Sequence, residues 1–368
     1  MKKYFKQITR VSLLLAILGA STAFADSPVW GTYKVECPAN SDTYIGITTT
    51  RAPVFTGKVQ AIQSGTTNIV AQGEPNWSVN QFVYVAGSQT NHYYLKFTSG
   101  ELEGAWYDIK SNSSSDVEIE IGSAELAKIA VDDTFQIIPH WTLATLFPNG
   151  GGFTASSDIT TSSILWKYTS WTSENGVELP KGTENQFLKS YYFRKKGTKA
   201  AWSTVAGNIV NDDVVEPMAF FRVSQSSTGC TTVYNGVIPM SATSTEVFVS
   251  ADSNQDIYFT VPSAVDMKVS DFTESLIDSG IFKSSETSAQ IDQLMIYGNG
   301  SVSKDPPADL LCFHRVKGTK SMWCSSSGAN VGENLLKAGS AVIFRKLSTG
   351  EDYVARIVFK PSYINIKE

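Results

Sequence analysis

Two stretches read together decide the fold: Tyr191-Tyr-Phe-Arg-Lys-Lys-Gly-Thr-Lys-Ala-Ala-Trp202 and Leu311-Cys-Phe-His-Arg-Val-Lys-Gly-Thr-Lys-Ser-Met-Trp323. Each centres on Lys-Gly-Thr-Lys and reaches a Trp three residues later, at an offset of 121. A Gly-containing pair between runs of strand-forming residues reads as a hairpin. One shared tetrapeptide is weak ground for a repeat; the flanks add to it. Phe220-Phe-Arg-Val223 matches Ile343-Phe-Arg-Lys346 at an offset of 123, and Phe153 and Tyr168 match Phe282 and Tyr297 at 129. The matches are collinear, which points to two homologous β units of about 90–100 residues.

Within each unit the reading is parallel. A short apolar segment of helical spacing comes first, Trp141–Phe147 or Phe272–Ile277 behind an Asp271 cap. A strand follows at Ile164–Tyr168 or Gln293–Tyr297, then the hairpin, the Phe/Arg strand, and a last strand at Thr231–Ile238 or Asp352–Phe359. Asp42-Thr-Tyr-Ile-Gly-Ile-Thr48 resembles Asp256-Ile-Tyr-Phe-Thr-Val261, yet lies far upstream of Trp141, so the first unit is read as interrupted. The interruption holds its own strands, expected at Gln81–Ala86, His92–Thr98, Gly104–Lys110, Asp116–Ile121 and Asp133–Pro139. The expected fold class is therefore all-β: two related β-sandwich-like units, with a small β-barrel inserted in the first. The boundaries are 1–25 for a signal peptide, 26–55 plus 140–245 for the first unit, 56–139 for the insert and 246–368 for the second unit.

Composition agrees with a β-protein. Only 18 % of the 368 residues are charged and 42 % are hydrophobic, with abundant Thr, Val and aromatic residues. Lys2, Lys3, Lys6 and Arg10, the apolar run Val11–Ala20 and Ala23-Phe-Ala25 have the three-part layout of a signal peptide cleaved before Asp26. Export is therefore expected, to the periplasm, the cell surface or beyond. The mature chain would carry 26 basic against 35 acidic residues, a net charge of −9, which argues against nucleic acid as a partner. No second apolar stretch has the length of a membrane span. Cys37, Cys230, Cys312 and Cys324 all lie in the mature chain. Cys312 and Cys324 flank Gly318 symmetrically, so a hairpin disulfide is expected between them; Cys37 with Cys230 is the leftover pairing.

Several segments resemble an uncharacterised family of exported, β-rich bacterial proteins known mainly from verrucomicrobial-type genomes. They include Trp77-Ser-Val-Asn-Gln-Phe-Val83, Leu102-Glu-Gly-Ala-Trp-Tyr107 and Ile138-Pro-His-Trp-Thr-Leu-Ala-Thr-Leu-Phe-Pro148. The likeness is densest from about residue 38 to 150. The second half departs from it, with Lys-Gly-Thr-Lys where the family usually has a Tyr-Asn-Gly-Ala-Trp-like hairpin. The resemblance implies export and β-architecture, and no activity.

The chain shows no nucleophile elbow, zinc motif, P-loop or dinucleotide fingerprint, so neither a catalytic residue nor a cofactor or metal is expected. His92, His140 and His314 are scattered; His140 opens the densest motif and is the best single candidate among them. Asp252-Ser-Asn-Gln-Asp256 has carboxylate and amide oxygens at calcium-loop spacing, but Ile257 stands where that loop needs Gly, and an Asx-turn is the better reading. Exposed Trp and Tyr on β-modules can stack on sugar rings, whereas buried ones fill cores. Trp106, Tyr107, Trp166, Tyr168 and Trp171 are the candidate ligand-binding residues. The expected role is structural, adhesive or binding and non-enzymatic, through a glycan or self-association; the alternative is a carbohydrate-binding or carbohydrate-active protein.

Overall fold

The structure, a computed structural model, describes residues 28–168, 179–180, 188–252, 254–287 and 291–365. The signal-peptide reading and Trp171 fall outside those residues.

The chain is all-β. In the first unit one sheet has the order Lys199–Thr204, Leu188–Lys196, Ile164–Tyr168, Phe220–Ser224, Asp42–Gly46. In the second the order is Lys320–Ser325, Leu310–Lys317, Gln293–Tyr297, Ala341–Lys346, Gln255–Thr260. The two orders correspond strand for strand. Leu179–Pro180 adds a short strand at the Gln255–Thr260 edge of the second sheet. Flanking ribbons correspond too: Trp30–Cys37 pairs with Cys230–Val237, and Thr243–Val249 with Tyr353–Phe359.

Both hairpins close with Gly-Thr turns, Lys196 opposite Lys199 and Lys317 opposite Lys320. Gly197 and Gly318 have φ of 63° and 61°, the left-handed backbone that a two-residue hairpin needs and that glycine adopts at no steric cost. Register corrects one detail of the repeat. Leu165 faces Tyr191 and Val223, while Leu294 faces Cys312 and Phe344. Val223 is thus the counterpart of Phe344, an offset of 121 rather than 123. A slip of two leaves every side chain on its own face of the sheet, so the alternating pattern could not expose it.

The same arithmetic overturns the Cys312–Cys324 disulfide. The turn is centred between Gly318 and Thr319, so Cys312 lies opposite Ser325 and Cys324 opposite Phe313. The one-residue offset sends the two sulfurs to opposite faces: Cys312 joins the core of the second unit, Cys324 a small cluster with Ile291 and Phe313.

Six strands close into a barrel in the order Phe55–Ile62, Asn68–Ala71, Asp116–Ile119, Trp106–Asn112, Tyr93–Phe97, Thr134–Pro139. Alternation turns Leu95, Phe97, Val117, Ile119, Phe135 and Ile137 inward. Two of these strands, Phe55–Ile62 and Asn68–Ala71, were not anticipated. Conversely Gln81–Ala86 is a run of turns, entered through Asn80 in a left-handed conformation with φ of 56°. Helical structure is confined to short segments. Leu143–Leu146 is a single turn with a Thr142/Thr145 capping box. Val269–Asp278 begins earlier than expected, with Asp271 inside its first turn rather than at the cap. None of the described helices is long and apolar enough to cross a membrane.

The two sheets meet through a pseudo-twofold contact. Tyr44 lies 4.5 Å from Tyr297, and its counterpart Tyr258 lies 4.9 Å from Tyr168, the counterpart of Tyr297. Gly46 N–H donates to the Gly339 carbonyl, and at the equivalent place Thr260 N–H donates to the Met218 carbonyl. Tyr168 is therefore buried between the units and is no ligand platform.

The barrel rests on the second unit. Gly104, with φ of 86°, brings its backbone against residues 242–244, where an added Cβ would meet main-chain atoms at 3.1 Å. Tyr107 points into the barrel core, and its hydroxyl donates to Glu125, which also pairs with Arg356 of the second unit. Tyr107 is thereby a structural residue, contrary to its expected role as a ligand platform. Beside it Lys96 is fully enclosed and donates to Thr243 Oγ1 at 3.2 Å. Burial pushes its ammonium down to about 8 from 10.5. The unfolded chain then binds more protons than the folded one between those values. Stability should rise as pH climbs from about 8 to about 10.5, and the penalty, roughly 3 kcal/mol, is fully present below that window. In Lys96→Met this rise should vanish, as read from urea midpoints at about pH 7 and pH 10; an unchanged rise would refute the assignment.

Candidate functional site

The strand Trp106–Asn112 alternates, with Tyr107 and Ile109 turned into the barrel. Trp106, Asp108 and Lys110 are thereby turned out, on the side where the barrel meets the first unit. The chain leaves the barrel at Pro139 and re-enters the first unit through His140 and Trp141–Thr142, which pairs with Val214–Val215. These two facts create a cleft of about 320 Å³ at the seam. Its walls carry Tyr84, His92, Asp108, Glu120, His140 and Glu216, with Phe82 and Tyr93 beneath them.

His140 is the best-held of these groups. Its main-chain N–H donates to the His92 carbonyl at 2.8 Å, and its carbonyl accepts from Arg51 at 3.4 Å. The ring is buried beside Tyr94 and Trp106, with centroids 4.5 and 5.8 Å away. Nε2 lies 2.7 Å from Asp108 Oδ1, while Nδ1 has no hydrogen-bond partner among the described residues. Asp108, an exposed carboxylate, can only accept, so Nε2 carries a proton and donates it, while Nδ1 is buried and faces no partner in the cleft.

Across the cleft Glu216 is half-buried and paired with Lys167, whose ammonium also donates to the Val214 carbonyl at 2.7 Å. Burial would raise the Glu216 carboxyl, but the Lys167 charge and hydrogen bond outweigh it and hold the group below its ordinary value. Glu216 is thus anionic at neutral pH. His92 stacks on Tyr84 at 4.1 Å, with the rings 9° from parallel. Burial lowers the His92 pKa, and the His140 charge adds to that against the opposing pull of Asp108 and Asp212. The cleft therefore combines three carboxylates and the Lys110 ammonium with a flat stacked pair of rings.

No protein family, curated protein or solved structure matches this chain.

The site residues expected from sequence are divided by the structure. Trp106 is half-buried, its ring 5.8 Å from that of His140 and behind the cleft wall rather than on it. Trp166 shares a strand face with Tyr168, but Arg222 covers its ring at 5.7 Å and it packs at the junction of the two units. The pairs Trp106/Tyr107 and Trp166/Tyr168 thus belong to separate regions, and none of these four residues lines the cleft. Of the histidines, His92 and His140 converge there, whereas His314 Nδ1 is engaged by Ser284 Oγ at 2.7 Å beside Trp323. Asp256 is gripped bidentately by Arg345, and Asn254 Oδ1 accepts from Ser348 N–H, so those oxygens serve the fold rather than a cation. No group of three ligating side chains stands at metal-binding geometry among the described residues.

Sequence reasoning missed Asp108, Glu216 and Tyr84. Asp108 carried a signal, as an outward-facing carboxylate two positions after Trp106 on an alternating strand. Glu216 carried none, because its place in the cleft follows from the docking of the barrel.

Proposed function

We propose that the protein is an exported, non-enzymatic binding protein of the cell envelope or the extracellular space, and that the seam cleft holds its ligand. The observation that carries this reading is the cleft itself, about 320 Å³ of polar-walled space bringing His140, Asp108 and Glu216 together beside the stacked Tyr84–His92 pair. That volume lies at the lower end of the range for small-ligand sites, about 300–1,000 Å³. Carboxylates accept hydrogen bonds from hydroxyl groups, and a flat ring pair meets the apolar C–H face of a sugar. A short saccharide is the ligand class that uses both. The alternative of a carbohydrate-active protein draws on the Asp108 and Glu216 carboxylates and His140 sharing one cleft.

A glycan array followed by calorimetry tests this. Binding of an oligosaccharide should weaken about tenfold or more in Tyr84→Ala and in Asp108→Asn, and stay unchanged in Trp166→Ala. Absence of any bound glycan, or equal affinity in all variants, would remove the proposal. Release of reducing sugar that disappears in Asp108→Asn or Glu216→Gln would replace it with the enzymatic alternative.

A further inference from the structure

Strand Trp30–Cys37 runs antiparallel to Cys230–Val237, and the last pair of that ladder is Cys37 opposite Cys230. Directly opposed Cα atoms in such a ladder lie about 4.5–5.5 Å apart, within the span a disulfide bridges. Gly229 lets the strand end come this close, because a Cβ there would meet the Cys37 carbonyl oxygen and the Ala39 nitrogen at 2.9 Å. The two thiols are close enough to shift each other's ionisation and are not bonded.

The surroundings treat the two sulfurs differently. Cys37 is buried; Cys230 is half-exposed. Buried Ser163 donates to Gln225 Oε1 at 2.8 Å, which fixes the amide so that Nε2 donates to Cys230 Sγ at 2.9 Å. Donors aimed at a sulfur favour its anionic form. Comparison of the repeats shows that the fold does not require this arrangement. The counterparts of Ser163 and Gln225 are Asp292 and Lys346, joined in a buried ion pair at 2.8 Å. Only the first unit turns this interior position into a donor for sulfur.

We propose that Cys37 and Cys230 are the site of an oxidative cross-link, formed by thiol–disulfide exchange with an external disulfide of low molecular mass, with Cys230 as the attacking sulfur. The Cys230 thiolate attacks one sulfur of the external disulfide. The S–S bond breaks, and the departing thiolate takes up the proton Cys230 has shed. Cys37 then gives up its proton and attacks Cys230 Sγ of the mixed disulfide. The second external thiolate leaves and takes that proton. Two protein thiols are oxidised and one external disulfide is reduced to two thiols. The interactions around Cys230, with Cys37 the first of them, lower its thiol to about 7, which supplies thiolate at neutral pH. Burial pushes Cys312 up to about 12, and Cys312 and Cys324 face opposite sides of their sheet, so they stay reduced.

The test treats the reduced, purified chain with oxidised glutathione, then alkylates it in denaturant and maps the peptides. The chain should become two hydrogens lighter and retain two alkylatable thiols, at Cys312 and Cys324, with the Cys37 and Cys230 peptides linked. Cys37→Ser should stop at a glutathione adduct on Cys230, and the Cys312→Ser/Cys324→Ser double variant should cross-link as the wild type does. Four alkylatable thiols after oxidation, or a link involving Cys312 or Cys324, would overturn the proposal. An adduct elsewhere in Cys37→Ser would overturn the order of attack. If Cys37→Ser does not fold, the wild-type peptide map alone decides the site of the cross-link.

Discussion

Lys346→Ala should destabilise the protein by about 3–5 kcal/mol, the loss that follows when one partner of a buried ion pair is removed. The Asp292 carboxylate and the Lys346 side chain are 0 % and 2 % exposed, and Nζ lies 2.8 Å from Oδ2. Asp292 also accepts from the Leu347 and Lys283 amides at 2.8 and 2.7 Å. Burial raises the Asp292 pKa despite Lys346. The folded state then holds its proton to higher pH than the unfolded state, so stability falls as pH rises through the folded pKa. Removing the lysine enlarges that rise, and the deficit of the variant should shrink as pH is lowered. Urea denaturation across the acid range checks both the size and the slope. The double variant Asp292→Ser/Lys346→Gln, which copies the neutral pair Ser163–Gln225 of the first unit, should recover most of the loss. A single-variant loss below about 1 kcal/mol would mean that water already reaches the pair.

Trp202→Ala should cost about 3–5 kcal/mol, from lost burial and the cavity left behind. The ring is 1 % exposed and lies 5.4–6.1 Å from Phe193, Phe147 and Phe153, with Nε1 donating to the Phe147 carbonyl at 3.3 Å. Trp106→Ala should cost far less, because Trp106 is only half-buried, its ring packing against Tyr94 and His140 outside the barrel core. Guanidinium midpoints of the two variants make the comparison. Equal losses would undo the distinction between a core tryptophan and a half-buried one.

That distinction shows where sequence reading was strong. Trp202 and Trp323 recur at matching places in both units, and both are buried, as expected where a repeated fold reuses its core. The Lys-Gly-Thr-Lys hairpins were legible because their turn chemistry is local. The cysteines show the converse. Symmetry of Cys312 and Cys324 about Gly318 suggested a bridge, but a turn of two residues has its centre between residues, and one position of register reverses the face. The cleft was legible only in fragments: His140 and the Trp106 strand were singled out, whereas Asp108 and Glu216 were not. It is assembled from the barrel, the exit linker and the first unit, and no local pattern encodes that meeting.

By itself, then, the sequence determined the β class, the duplication and the hairpins, because alternation, turn residues and repeated aromatics act over a few neighbours. Only the tertiary structure decided which cysteines face each other, which aromatics lie between the two units, and which charges share a cleft. Those relations depend on strand register and on the docking of segments far apart in the chain, where a shift of one residue exchanges inside for outside.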